Sequence, residues 1–232
     1  MSGKSSVTVI VLNWNGRELL EDCLGSLEKV DYNNFNVLVV DNGSTDKSVH
    51  YIKSTFPNVD VLELGENLGY AAGNNAGFKH AVLAYNMEYV IFLNNDTIVE
   101  ENFIEPLLVP FRNNNVGQTI PKIFYAGEKN KIWYAGGRVN FWTGNIYHEG
   151  IREIDSERFN KIKNTDYATG CCFCIKTSDF EKLNGFDESF RMYGEDVDLS
   201  IRVRNIGRII LLAPNSKIWH KVSASIGGEF SF

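Results

Sequence analysis

No run of this sequence is apolar for long enough to cross a membrane. The longest runs, such as Val9–Leu12 and Ile209–Ala213, fall far short of the roughly 18 residues that a span needs. Met1–Ser6 lacks the apolar centre of a signal peptide, so a soluble, cytoplasmic protein is expected. Basic clusters are also missing. Lys and Arg number 23 against 29 Asp and Glu, giving a net charge of -6 and a pI near 5.3. Nucleic acids are held by clustered Lys and Arg that neutralise phosphates, so this balance argues against a nucleic-acid partner. The chain has four cysteines, Cys23, Cys171, Cys172 and Cys174, without the two separated pairs, or pair with histidines at ligand spacing, that zinc requires. Three crowd into one apolar run, where free cysteine behaves as a small buried hydrophobe. Neither a G-x-x-x-x-G-K-[ST] phosphate loop nor a G-x-G-x-x-G dinucleotide fingerprint occurs.

What is present is enough apolar sequence for one domain, 44% of 232 residues. The first half alternates strand and helix patterns. Val7–Leu12 (VTVIVL) is a buried-strand run, followed by Leu19, Leu20, Cys23, Leu24 and Leu27 on one helical face. Asn36–Val40 gives a second strand, and then Ser44, Thr45 or Asp46 can cap a helix carrying Val49, Ile52 and Phe56. Val61–Leu64, a glycine-punctuated helix over about 70–85 and the strand Tyr89–Leu93 follow. This βαβαβαβ order predicts an α/β fold with a mostly parallel, twisted sheet covered by helices on both faces. The second half is less regular. An aromatic, Gly-containing stretch (WYAGGRVNFWTGNIYHEG) reads as short strands and loops, and YATGCCFCI reads as a strand. SDFE then reads as a capping box opening a helix that Gly185 closes, and a last helix runs from about Glu195 to Ile206, ended by Gly207.

In an open parallel sheet, ligands bind beyond the carboxyl ends of the strands. That rule selects Asn13-Trp14-Asn15-Gly16, Asp41-Asn42-Gly43-Ser44, Asn67-Leu68-Gly69 and Asn94-Asn95-Asp96. Asn, Asp and Gly make good turns wherever they occur. Four such sites along one sheet edge also gather the carboxylates and amides that hydrogen-bond a base and a ribose, so a nucleotide is the natural ligand. Gly69, Gly73 and Gly77 recur every four residues and share a helical face that can approach the sheet closely. Asn74, in the first turns of that helix, is placed to point its amide at the ligand.

The segments VIVLNWNG, VVDNGSTD, ENLGYAAGNNAG, FLNND, ATGCCFCIKTSDFEKLNGFDESF, YGEDVDLSIRVRNIG and a final WH occur in the order found in family 2 glycosyltransferases. Together they resemble most the rhamnosyltransferase-like branch, over Val7 to His220. The resemblance implies a GT-A fold in a single domain. Residues from about 5 to 115 would form the nucleotide-sugar-binding half, and those from about 116 to 225 a smaller acceptor-binding and catalytic half. It also implies transfer of a sugar from a nucleotide diphosphate sugar to an acceptor hydroxyl with inversion. Carried over by position, Asp41 would accept a hydrogen bond from a pyrimidine base, with Asn13, Asn15, Asn67, Gly69 and Asn74 around the nucleotide and Asn94 and Asn95 near the ribose. Asp96 would hold the metal.

The family's metal motif commonly has two acids around one residue, whereas this chain reads Asn94-Asn95-Asp96 and keeps only the last carboxylate. Mg²⁺ typically takes one or two carboxylates and fills its shell with water and substrate phosphates, so one acid suffices when the diphosphate is present. His220 matches a further ligand in some relatives, and an imidazole suits Mn²⁺ better than Mg²⁺. Asp196 is the expected general base, with Glu195 contacting the acceptor or serving as the alternative base. Acids in a first helical turn also complement the helix dipole. Thr169 and Gly170 would line the acceptor and sugar pocket, with Trp133 as a stacking surface alongside Trp142 and Tyr147.

The branch implies a dTDP- or UDP-linked hexose or deoxyhexose donor and a polysaccharide or lipid-linked glycan acceptor. Relatives often continue past the Trp-His pair, so association with the inner face of the membrane is expected to use a segment absent from this chain. Two other readings stand beside this one. A sugar nucleotidyltransferase would share the acidic metal site, but it usually carries a basic Gly-rich loop where this chain has VLNWNGRELL. A catalytically silent nucleotide-sugar-binding protein would explain Asn94 and Asn95.

Overall fold

A computed structural model describes residues 4–190 and 193–222. The first half forms as its periodicity predicts: β1 Val7–Asn13, α1 Arg17–Leu27, β2 Phe35–Asp41, α2 Ser48–Thr55, β3 Asp60–Glu63, α3 Gly69–Ala84 and β4 Tyr89–Asn94. Then come β5 Thr97–Val99, α4 Ile104–Leu108, β6 Val116–Tyr125, β7 Glu128–Tyr134, β8 Gly137–Asn140 and β9 Asn145–His148. The chain continues through β10 Lys163–Asn164, β11 Cys172–Lys176, α5 Thr177–Lys182, α6 Glu195–Asn205 and β12 Ile209–His220.

One sheet runs through both halves in the order β10-β12-β6-β11-β4-β1-β2-β3, with β5 on β12 and β7 on β6. β3, β2, β1 and β4 are parallel, β11 is antiparallel to both β4 and β6, and β12 lies parallel to β6. The sheet is thus mostly parallel, as expected, but it does not stop where the regular pattern stops. β6 is a long, buried strand at the head of the region expected to hold short strands and loops, and β12 is a long strand for which no expectation was made. The shorter β8–β9 hairpin forms a separate two-stranded sheet.

Strands β1 and β4 are buried on both faces, which is why they read as continuous apolar runs. Gly73 and Gly77 let α3 settle onto β1 and β2. A Cβ on Gly77 would lie 2.4 Å from a Val40 methyl, and one on Gly73 2.7 Å from a Leu12 methyl. Gly69 does something else, since its φ of +84° starts the helix in a conformation that favours glycine.

Two local expectations need correcting. SDFE makes no capping box: α5 starts at Thr177, and its cap residue Lys176 offers no side-chain hydrogen bond, which leaves Ser178 inside the first turn. Of the three candidates before α2, Asp46 accepts from the Ser48 N–H at 3.0 Å, whereas Ser44 turns toward Asn13. Gly185 and Gly207, with φ of +71° and +82°, close their helices as expected.

In β12 the pairing with β6 shifts between Ala213 and Lys217, around Pro214, which has no N–H for the ladder. After this irregularity the strand resumes and pairs His220 with Thr97 of β5. That register sets His220 beside Asp96, 124 residues away in sequence.

Candidate active site

The carboxyl ends of β1, β2 and β4 are cross-linked side chain to side chain. Asn13, fully buried, donates from Nδ2 to Asp41 Oδ1 at 3.4 Å and to Ser44 Oγ at 3.3 Å. Its Oδ1 accepts from Asn95 Nδ2 at 2.8 Å. Asp41 Oδ2 accepts the Ser44 N–H at 3.0 Å, and Asn15 Oδ1 accepts the Thr45 N–H at 2.8 Å. Gly16 is required at this junction, because a Cβ there would lie 2.2 Å from Asn95 Nδ2 and 2.6 Å from Asn13 Oδ1.

The third loop is held by Asn42, a residue of a selected strand-end loop to which the sequence reading gave no role. Buried Asn42 donates to Asn67 Oδ1 at 2.9 Å and to the Gly69 carbonyl at 3.2 Å, and accepts the Leu68 N–H at 2.9 Å. Asn67 Oδ1 also accepts the Gly69 N–H, so Asn67 and Gly69 form the hinge into α3. Asn74 does not aim its amide nitrogen outward as expected. It donates back to the Tyr70 carbonyl at 3.0 Å, the bond to the preceding turn that Asn side chains readily make.

Asp96 and His220 are both buried, and Asp96 Oδ2 lies 3.1 Å from His220 Nε2. Among the described residues, Asp96 Oδ1 and His220 Nδ1 are enclosed without a hydrogen-bond partner. Such atoms are costly to leave unmatched. Trp133 packs edge-to-face on His220, with centroids 4.5 Å apart, and likewise on His148 at 4.6 Å. Burial lowers His148 to about 4, with the neighbouring His220 adding to the effect. Trp142 is 99% exposed and Tyr147 also faces solvent on the β8–β9 hairpin, so of the three aromatics singled out Trp133 is the one packed against His220.

Asp196 and Glu195 open α6. Asp196 Oδ2 accepts the Gly170 N–H at 2.8 Å and Oδ1 accepts the Val197 N–H at 2.8 Å. Burial raises the Asp196 pKa above the usual carboxylate value, against the lowering pull of those N–H groups. Glu195 is raised by burial and by the charge of Asp196, and among the described residues its Oε2 is enclosed without a partner. Buried Thr169 and Gly170 lead into β11, and the Gly170 carbonyl accepts from the Tyr70 hydroxyl at 2.7 Å. The four cysteines are buried free thiols; desolvation pushes Cys23 up to about 12, which makes them poor nucleophiles.

A cleft of about 730 Å³ lies over these strand ends, with Trp14, Asn15 and Gly16 on one side and Tyr70, Asn94 and Asp96 on the other. Its size and mixed polar lining suit a nucleotide-sized ligand. Among the described residues no three His, Cys, Asp or Glu converge to hold a metal; Asp96 borders this cleft, and His220 meets it from the neighbouring β12 side.

The model of glycosyl transferase family 2 matches residues 8–183, and a second model, described as the N-terminal domain of galactosyltransferase, matches residues 151–219. The chain belongs to glycosyl transferase family 2. Among similar proteins is the N-acetylglucosaminyl-diphospho-decaprenol L-rhamnosyltransferase of Mycobacterium tuberculosis, 27% identical over 95% of this chain and 78% of that protein. Another is the low-salt glycan biosynthesis hexosyltransferase Agl10 of Haloferax volcanii, 25% identical over 87% of this chain and 64% of that one.

The glycosyltransferase also superimposes on solved structures. GalNAc-T7, solved with UDP, GalNAc and Mn²⁺, gives a TM-score of 0.76 at 19% identity over 95% of this chain and 44% of that one. The mannosyltransferase PcManGT of Pyrobaculum calidifontis, in complex with GDP-Man and Mn²⁺, gives 0.72 at 18% identity over 97% and 59%. The chain therefore spans less than two thirds of either structure, and the shared architecture is GT-A.

Proposed function

We propose that this glycosyltransferase moves a sugar from a dTDP- or UDP-linked donor to an acceptor hydroxyl of a growing glycan, with inversion and with the help of a divalent metal. The observation that carries the reading is the buried Asp96–His220 pair, with Asp96 Oδ1 unpartnered, at the edge of the cleft where three strand ends meet.

At the ends of β1 and β2 beside the cleft, Asp41 receives the imide N–H of a pyrimidine, and Asn13 and Asn15 keep it oriented through the Ser44 network. Asn67 and Gly69 shape the same wall through Asn42. Asn94 and Asn95 offer amides to the ribose without adding charge.

The residues fit a divalent ion. A carboxylate oxygen and an imidazole nitrogen meet at 3.1 Å, and among the described residues Asp96 Oδ1 has no hydrogen-bond partner, a donor set whose chemistry suits a divalent ion. Asp96 and His220 would hold the ion, Mg²⁺ or Mn²⁺, with the imidazole favouring Mn²⁺. Bound there, it supplies positive charge against the diphosphate.

Asp196 accepts the proton of the acceptor hydroxyl. As the acceptor oxygen bonds to the anomeric carbon, the carbon–oxygen bond to the diphosphate breaks, and the bonding pair leaves with the nucleoside diphosphate. Desolvation makes Asp196 a stronger base than an ordinary carboxylate, and its two backbone N–H partners hold it in place. Glu195, next to it, offers its unpartnered oxygen to the acceptor. Thr169, Gly170 and Trp133 border the sugar-binding region.

A single displacement needs one base and inverts the anomeric centre. The experiment is therefore proton NMR of the product formed with UDP-glucose, UDP-N-acetylglucosamine and dTDP-rhamnose as candidate donors. An anomeric configuration opposite to the donor's supports the reading, and the same configuration overturns it.

A further inference from the structure

We infer that Tyr70 is a positioning residue for the general base, because its hydroxyl anchors the Gly170 backbone whose N–H holds the Asp196 carboxylate. The inference rests on Asp196 being the base. Tyr70 Oη donates to the Gly170 carbonyl at 2.7 Å, and the Gly170 N–H donates to Asp196 Oδ2 at 2.8 Å. A hundred residues separate Tyr70 from Gly170, so this contact joins the glycine helix of the first half to the start of β11 in the second.

Tyr70 itself has little freedom. It is the second residue of α3, which Gly73 and Gly77 seat against Leu12 and Val40. Its ring packs edge-to-face on Phe186 at 5.6 Å. Burial, with Asp196 and Glu195 nearby, holds the hydroxyl far above its usual pKa, so it remains a donor. The same side chain borders the cleft beside Asn94 and Asp96. One residue therefore touches both the wall of the donor cleft and the tether of the base.

A hydroxyl that merely stitched two loops together would affect stability alone. A tether to Asp196 also affects how readily that carboxyl takes a proton. In Tyr70→Phe the ring still fills its space and keeps water out, so the desolvation of Asp196 persists while the Gly170 N–H is held less firmly. The Asp196 pKa then rises. Among the described residues, the other titratable groups facing Asp196 are Glu195 on its own helix and the phenols of Tyr70, Tyr134 and Tyr167, all neutral or acidic, so none of these opposes that direction.

The test follows the carboxyl carbon of Asp196 by ¹³C NMR against pH in the wild type and in Tyr70→Phe, with Asp196→Asn used to assign the signal. The inference predicts a midpoint at higher pH in Tyr70→Phe, UDP affinity in the presence of Mn²⁺ within about twofold of wild type, and kcat lower by about tenfold, the scale of one lost hydrogen bond. Gly170→Ala supplies a second variant. A Cβ there would lie 3.1 Å from Tyr70 Oη, so its defect should shrink in the Tyr70→Phe background, where that oxygen is gone. An unmoved Asp196 midpoint with a lowered melting temperature overturns the inference and leaves Tyr70 a stitch. Loss of turnover in Asp196→Asn alongside unchanged kcat in Tyr70→Phe overturns the tether alone. Full turnover in Asp196→Asn removes the base assignment and this inference with it.

Discussion

Asp96 Oδ2 and His220 Nε2 face each other at 3.1 Å, joined by the pairing of β12 with β5. Each also keeps an enclosed polar atom with no partner among the described residues. A purely structural pair would be expected to satisfy those atoms, and a pair awaiting an ion and a diphosphate need not.

Asp96→Asn keeps the shape of the side chain and removes its charge. The expected outcome is loss of Mn²⁺-dependent nucleotide binding by on the order of 100-fold, the upper scale for disturbed metal sites. His220→Gln is expected to weaken Mn²⁺ more than Mg²⁺, since the imidazole is the ligand that distinguishes them. Nucleotide affinity measured with each ion in turn checks both.

Asp196→Asn should bind donor normally and lose turnover by roughly 10²- to 10⁴-fold, the range of general-base contributions. In the wild type, the acid limb of the rate profile should lie above the ordinary aspartate range, because burial raises Asp196. A limb at or below that range contradicts the assignment.

Glu195→Gln should make the fold more stable at neutral pH. The Glu195 pKa is raised on folding. Such a carboxyl contributes stability fully below its unfolded pKa, and that contribution is lost as pH rises through the folded pKa. At neutral pH a buried, unpartnered charge remains, and Gln removes it. Melting temperatures should therefore show the variant gaining over wild type as pH rises from about 4, near the unfolded pKa of glutamate, and the two converging below it.

Gly77→Ala is expected to cost about 1–3 kcal/mol of stability by overpacking against Val40 and Ile10. Gly16→Ala acts at the site instead, since its Cβ displaces Asn95 and Asn13. Chemical denaturation should therefore register the first most strongly, and nucleotide affinity the second.

Most of the nucleotide-facing half was legible because its signals are local. Apolar runs ending in Asn, Asp or Gly marked β1, β2 and β4, and the four-residue glycine spacing marked the face of α3. What was missed depends on distant partners. β12 drew no reading as a strand and contains Pro214, yet β6 pairs with it before and after the irregularity and β5 after it. Tyr70 looked like the start of a helix because its acceptor lies 100 residues away. Asn42 and Asn74 are both amides at the same sheet edge. Only the fold shows that one braces a loop while the other donates to its own helix. The residues proposed for metal and base fall in two places, Asp96 with His220 and Glu195 with Asp196, both adjoining the strand ends that the pattern selected.

The most direct test of the central claim is calorimetric titration of the purified chain with UDP and dTDP, with Mn²⁺ and with EDTA, in wild type and Asp96→Asn. The account predicts tight binding of one pyrimidine diphosphate that disappears with EDTA and in the variant. Equal binding with and without the ion, or no binding to either nucleotide, would contradict it.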